Sequence, residues 1–168
     1  FLDVLGIGKS LLRLTFERLL GVSDPSKIYI LTNERYRDLV LSQLPELTSD
    51  QVICEPERKN TAPCIAFAAA KILSIDADAT LVISPSDHLI INTPRFEGLI
   101  NTAIDEANQG KLVTLGIQPS RPDTGYGYIE VASGRHAAGS VKHVQRFCEK
   151  PSVDVAQSFV ESGNYFWN

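Results

Sequence analysis

Asp87 stands in "ISPSDHLI", where an apolar run breaks off into a polar turn, with His88 beside it. A lone carboxylate in such a place can hold a hard divalent cation such as Mg2+, which needs few protein carboxylates when phosphate oxygens supply the rest. Asp also stabilises turns and caps helices, so spacing alone leaves both readings open. His88 reads as an orienting or structural side chain, because hard-cation sites seldom take imidazole. Upstream, "EPERKNTAPCIAFAAA" brings Arg58, Lys59, Asn60 and Thr61 directly before a helical run. The free N–H groups at a helix start suit an anion or a polar base edge. The plainer reading makes Asn60 or Thr61 a simple cap. Ala66, Ala68, Ala69 and Ala70 behind them would admit a backbone or a flat ring, and equally suit ordinary helix–sheet packing.

Two further clusters follow. "GIQPSRPDTGYGYIE" sets two prolines, three glycines and two tyrosines between apolar runs, and is longer than the two to five residues a hairpin turn needs. Gly125 and Gly127 flank Tyr126 and permit close backbone approach to a ligand, while Pro119 and Pro122 stiffen the segment. Backbone groups held this way can read sugar hydroxyls; the alternative is a structural loop leading into an edge strand. "FCEKP" ends a strand-like run with Glu149 and Lys150. Neighbours in a strand point to opposite faces, so the two need not pair. At a frayed strand end Glu149 can accept from hydroxyls and Lys150 can meet phosphate as a compact point charge. An exposed salt bridge is the plainer reading. In "GNYFWN", Trp167 reads as core and Asn168 as a hydroxyl reader.

The elements that must position these groups alternate. Helices are expected over Lys9–Leu20, after Asn33 in "ERYRDLVLSQL", over Thr61–Leu73, over Pro94–Asn108 and over Ser152–Ser162. Short strands are expected at "KIYILT", "QVICEP", "ATLVISP" (Ala79–Pro85, buried on both faces) and "KLVTLGI" (Lys111–Ile117). "GYIEVAS" and Ser140–Lys150 then follow as strands joined by the polar tip "GRHAAG". Alternation of this kind gives right-handed crossovers and a mostly parallel sheet, with the late strand pair making it mixed. Ligands in such folds sit at the carboxyl ends of strands, where four of these clusters fall: "EPERKNTAP", "SPSDHLI", "QPSRPDTGYG" and "EKPS". "GIG" at Gly6–Gly8 reads as a turn. No P-loop, G-x-G-x-x-G after a strand, or G-x-S-x-G elbow is present.

Composition bounds the function. With 168 residues, 43% hydrophobic and 21% charged, the prior is one ordinary globular domain. A net charge of -4 argues against nucleic acid as a partner, and a bound polyphosphate would need local cations and a metal. Cys54, Cys64 and Cys148 form no zinc pair and read as small buried hydrophobes in a reducing, cytoplasmic compartment. No apolar run reaches the ~18 residues of a membrane span, and no signal peptide is visible. The chain begins at Phe1 and has no methionine, which reads as a piece of something longer.

Taken in order, "EPERKNTAPCIAFAA", "VISPSDHLI", "GIQPSRPDTGYGYI", "FCEKP" and "GNYFWN" resemble the mannose-1-phosphate guanylyltransferases, or GDP-mannose pyrophosphorylases, over essentially the whole chain. The resemblance implies a Rossmann-like nucleotide-diphospho-sugar transferase fold. It implies conversion of GTP and mannose 1-phosphate to GDP-mannose and pyrophosphate, by direct attack of the sugar phosphate on the α-phosphorus with Mg2+. By the family pattern Asp87 is a Mg2+ ligand and, with Lys150, catalytic. Asn60 and Thr61 lie near guanine and ribose. Gly125, Tyr126 and Gly127 line the mannose pocket, Glu149 binds its hydroxyls, Lys150 its phosphate, and Asn168 sits beside the sugar. The family's first strand and Gly-rich triphosphate loop would precede Phe1, and a second metal-binding Asp would follow Asn168. A nucleotidyltransferase domain truncated at both ends, and inactive by itself, is therefore expected. Some relatives carry a fused isomerase domain; a homo-oligomer stays open. Rival readings are a non-catalytic regulatory subunit that binds sugar nucleotide, a nucleotidyltransferase for another sugar or base, and a nicotinamide-binding dehydrogenase, the last weakened by its missing glycine fingerprint.

Overall fold

Leu12, Phe16 and Leu19 recur at helical spacing, and the helix they predict is α1, Leu11–Leu19, whose first turn is capped by Ser10 accepting from the Arg13 amide. The computed structural model describes residues 2–134 and 137–168. The chain divides into two compact units, Phe1–Asn108 and Gln109–Asn168.

In the first unit α1 packs on a parallel pair, β1 (Ile30–Asn33) and β2 (Val52–Glu55), with Ile30 opposite Val52 and Asn33 opposite Glu55. The connection carries α2, Arg37–Gln43, entered through a tight turn in which the Asn33 side chain accepts from the Arg35 amide. Asn33 thus caps the 3-10 turn Glu34–Tyr36, while the cap position of α2 itself falls on Tyr36, which makes no side-chain cap. Leu12, Phe16, Ile28, Val40, Leu44, Leu47 and Val52 form the core. Phe16 and Val40 are each 1% exposed, and full burial of such side chains stabilises by roughly 1.5–3 kcal/mol each. α3, Thr61–Leu73, and α4, Thr93–Ala107, follow. α4 buries Ile100, with Phe96, Leu99, Ala103 and Ile104 on the expected face. "GIG" is a turn: Gly6 and Gly8 have φ of 66° and 79°, and the Asp3 carboxylate accepts from the amides of Ile7 and Gly8.

The second unit is a three-stranded antiparallel sheet in the order β4-β3-β5, with β3 at Tyr128–Val131, β4 at Val144–Cys148 and β5 at Tyr165–Trp167. α5, Val153–Ser162, ends in a left-handed Gly163 and covers one face through Ala156 and Phe159. Tyr128, Tyr165 and Trp167 complete this core, and the rings of Phe159 and Tyr165 stack with centroids 3.9 Å apart. The expected strand pair and its antiparallel sense are present. The tip between the strands includes Arg135 and His136, which lie outside the described residues, as does Phe1.

Two sequence expectations need correction. Ala79–Pro85 and Lys111–Ile117 carry the side-chain pattern of buried strands, yet neither forms a ladder beyond one bridge from Ile117 to Trp167. Ile83 is 51% exposed and Leu112 fully so. A strand is stabilised by its neighbour's hydrogen bonds and by burial, and among the described residues these two segments lack both apart from the Ile117 bridge. β5 is the reverse case: Trp167, which reads only as core, also pairs with β3, opposite Tyr128.

The three cysteines are free and half-buried rather than fully buried. Burial, with the Glu55 carboxylate second, pushes the Cys64 thiol up to about 11, so it stays protonated at neutral pH.

Candidate functional site

In the first unit, Asn60 occupies the cap position of α3, but its side chain makes no capping hydrogen bond. The cap reading therefore fails for Asn60, and Thr61 is an exposed first helical residue. The backbone of Asn60 has φ 67° and ψ -171°, a region populated almost solely by glycine. α3 buries only Ala68; Ala66 and Ala70 are exposed. Asn60→Gly should raise stability by about 1 kcal/mol by relieving this conformation, measured as the thermal unfolding midpoint. A lower midpoint would show that the side chain is structurally needed.

Asp87 sits in the turn after residues 79–85, exposed, together with Ser86 and His88. Asp87 and Ser86 lie on the rim of a cleft of about 380 Å³, otherwise lined mainly by apolar side chains such as Leu12, Ile30 and Val40, with Thr32 and Tyr36. Among the described residues no side chain pairs with the Asp87 carboxylate, and no three His, Cys, Asp or Glu gather as an all-protein metal cage. One unpaired carboxylate fits Mg2+, which commonly takes its remaining ligands from water and substrate phosphates. His88 contributes its backbone rather than its ring: its carbonyl accepts from Arg18 Nη1 at 3.3 Å. The Ser86 carbonyl accepts from the Thr15 hydroxyl at 3.4 Å.

In the second unit the long loop from Gly116 is held at both ends by consecutive residues of one strand terminus. Ile117 and Trp167 exchange backbone hydrogen bonds of 3.0 and 2.8 Å, and the Asn168 amide donates to the Gly127 carbonyl at 2.9 Å. Gly116 is required by packing, since a Cβ there would lie 2.8 Å from the Phe166 Cβ. Inside the loop, Asp123 is the organiser. Its carboxylate accepts from the Gly125 amide at 2.8 Å and from Arg121 at 2.6 Å, and its carbonyl accepts from the buried Tyr128 hydroxyl at 2.8 Å. The Gly125 amide first, then Arg121, hold the Asp123 carboxyl below its usual range. The Tyr126 ring lies 5.1 Å from that of Trp167, and the Arg121 guanidinium is 5.2 Å from the same indole. Trp167 is 8% exposed, and its Nε1 is buried without a hydrogen-bond partner among the described residues.

Three of the sequence-predicted residues converge here. A Cβ added to Gly127 would lie 3.4 Å from Glu149 Oε2 and 3.8 Å from the Asn168 Cβ. The Asn168 side-chain oxygen accepts from Thr114 at 3.1 Å. Neither Gly125 nor Gly127 has a left-handed backbone, so it is the absent side chain, not φ, that distinguishes them. Glu149 and Lys150 follow directly on β4 and do pair, Nζ to Oε1 at 3.1 Å, with both side chains largely exposed. Such a bridge is worth little, so it leaves both groups able to turn to a ligand. Lys150 has φ 35° and precedes Pro151, which itself disfavours helical backbone. Asn60 and Lys150 are the two non-glycine residues with positive φ among those described. Sequence reading missed Thr114, Thr15 and Arg18. For the last two the available signal was an i, i+3 polar pair on the same helix as Leu12 and Phe16.

The nucleotidyl transferase family profile matches residues 3–168. Among curated proteins, the xanthan biosynthesis protein XanB of Xanthomonas campestris pv. campestris strain B100 is 39% identical over 170 residues, covering all of this chain and 35% of that protein. A mannose-1-phosphate guanylyltransferase of Escherichia coli K12 is 40% identical over 166 residues, covering 95% of this chain and 34% of its own length. The chain thus spans about a third of the curated relatives it matches. Among solved structures, one described as mannose-1-phosphate geranyltransferase from Thermus thermophilus superposes with TM-score 0.78 at 30% identity, over 96% of this chain and 46% of that one. Another, described as mannose-6-phosphate isomerase from Helicobacter pylori, gives TM-score 0.77 at 35% identity, over 95% and 59%. With the profile spanning nearly every residue, this α/β chain belongs to the nucleotidyl transferase family.

Proposed function

We propose that the parent polypeptide is a mannose-1-phosphate guanylyltransferase. A phosphate oxygen of mannose 1-phosphate bonds to the α-phosphorus of GTP while the bond from that phosphorus to the bridge oxygen of the β-phosphate breaks. GDP-mannose forms and pyrophosphate leaves. The observation that carries this reading is the meeting of Gly127, Glu149 and Asn168 behind a loop pinned at both ends. An acceptor carboxylate and an amide side chain stand beside a position with no side chain, as a polyhydroxylated ring requires.

Within the second unit, Glu149 and Asn168 bind sugar hydroxyls, Gly125–Tyr126–Gly127 forms the wall behind them, and Lys150 meets the sugar phosphate. Within the first, Asn60 and Thr61 face the nucleoside, and Asp87 supplies the carboxylate for Mg2+. When bound, that ion neutralises phosphate charge that would otherwise repel the attacking oxygen. The chain's own contribution is positioning and charge neutralisation, with no covalent intermediate.

The test supplies the parent polypeptide with Mg2+, mannose 1-phosphate and GTP, ATP or UTP in turn. A base read by hydrogen bonds gives a preference for GTP of roughly 10^4-fold in kcat/KM, because a wrong base leaves buried polar groups unpaired. Comparable turnover with ATP or UTP would assign another base. Binding of GDP-mannose without turnover of any nucleotide would assign a regulatory subunit instead.

A further inference from the structure

Arg18 is 6% exposed and, among the described residues, has no carboxylate partner. Its Nη2 donates to Thr15 Oγ1 at 3.0 Å, its Nη1 to the His88 carbonyl at 3.3 Å, and its Nε is buried with no partner among the described residues. The guanidinium also lies 5.2 Å from the Phe96 ring of α4. A buried cation without a counter-ion is costly, and burial lowers the pKa of Arg18 accordingly. α1 could have carried leucine at this position and enlarged its core.

What the arginine obtains in return is specific. Thr15 and Arg18 stand one turn apart on α1, so their side chains project from the same side. They grip the carbonyls of Ser86 and His88, the two residues that flank Asp87. The turn has few other supports: Ser86, Asp87 and His88 are exposed, and residues 79–85 before them belong to no ladder among the described residues.

We infer that Thr15 and Arg18 are positioning residues, a two-point clamp by which helix α1 fixes the peptide units on either side of Asp87 and so aims its carboxylate. The inference rests on Asp87 being the metal carboxylate. Its geometric half stands independently, because the clamp acts on backbone whatever Asp87 binds.

The experiment compares Arg18→Met, Arg18→Lys and Thr15→Val in the parent polypeptide, with two readouts. The first is the backbone 15N order parameter of residues 86–88 without metal. It should fall from about 0.85 to below about 0.6 in the Met and Val variants, while β1 and β2 keep theirs. The second is the Mg2+ concentration for half-maximal activity, which should rise roughly tenfold, the loss of one to two hydrogen bonds. The rate at saturating Mg2+ should change less, and Arg18→Lys should recover part of the loss. Residues 86–88 remaining rigid in both variants would overturn the clamp, as would a loss of order shared equally by β1 and β2. If Arg18→Met fails to fold, Thr15→Val decides, since it removes only a hydroxyl from a buried site of the same shape. Should Asp87→Ala keep full turnover while 86–88 loosen in the clamp variants, the metal reading fails and the clamp stands. Should Asp87→Ala abolish turnover while 86–88 stay rigid, the reverse holds.

Discussion

With Asp87 replaced by alanine in the parent polypeptide, sugar-nucleotide synthesis should fall on the order of 10^3-fold at saturating substrate if, as proposed, this group helps to place charge neutralisation at a transferring phosphoryl. Folding is spared. Asp87 is exposed and its carboxylate engages no described side chain, so the unfolding free energy should stay within about 0.5 kcal/mol of the parent. The combination matters, because an aspartate that merely shaped its turn would lower both. Asp87→Asn should lose nearly as much activity, since an amide keeps the shape but not the charge a hard cation needs. Excess Mg2+ should restore part of the activity in Asp87→Asn and less in Asp87→Ala. Product formation followed by pyrophosphate release measures the first effect and thermal unfolding the second. Undiminished synthesis in Asp87→Ala ends the metal assignment.

The second large effect belongs to Lys150. If Lys150 meets the sugar phosphate as proposed, Lys150→Met should lower kcat/KM for mannose 1-phosphate by about 10^2-fold, the scale of losing one preorganised charge contact in a transition state. Its bridge to Glu149 is exposed on both sides, so no comparable loss of stability accompanies the change. The backbone offers an independent check. Lys150 is held at φ 35° ahead of a proline, a conformation costing on the order of 1–3 kcal/mol for a residue with a side chain. Lys150→Gly should therefore be more stable than Lys150→Met while being equally impaired. If Lys150→Met retains the parent's kcat/KM, the lysine has no role at the sugar phosphate and its backbone conformation needs another explanation. Should Lys150→Gly instead be active, the conformation rather than the ammonium is what the site uses. Arginine is a poor substitute in either case, because a planar fork replaces a compact charge.

Both residues stand out as candidates in the sequence because each follows a strand-like run, where an α/β chain presents its loops. The helices were equally legible. α3 spans Thr61–Leu73 and α5 lies within Ser152–Ser162, as periodicity and turn residues indicated. Helical hydrogen bonds close within four residues, so a local pattern suffices to specify them. The pattern of "ATLVISP" and "KLVTLGI" is just as clear, yet no ladder forms there beyond the single bridge to Trp167. A strand's partner lies elsewhere in the chain, and side-chain alternation says only which faces would be buried if one arrived.

The site divides along the same line. Residue types and order made Asp87, Glu149, Lys150 and Asn168 candidates. Only tertiary structure brought Asn168 against Gly127 across about forty residues of chain and tied the loop shut through Trp167. The hydrogen bonds from Thr15 and Arg18 to the turn that carries Asp87 span about seventy residues. No spacing rule reaches that far, because those contacts depend on where packing sets a helix beside a turn. Sequence determined which chemical groups this protein possesses and which segments coil into helices. Packing alone decided which groups face one another, since a contact between distant residues is a property of the folded backbone and not of any window along it.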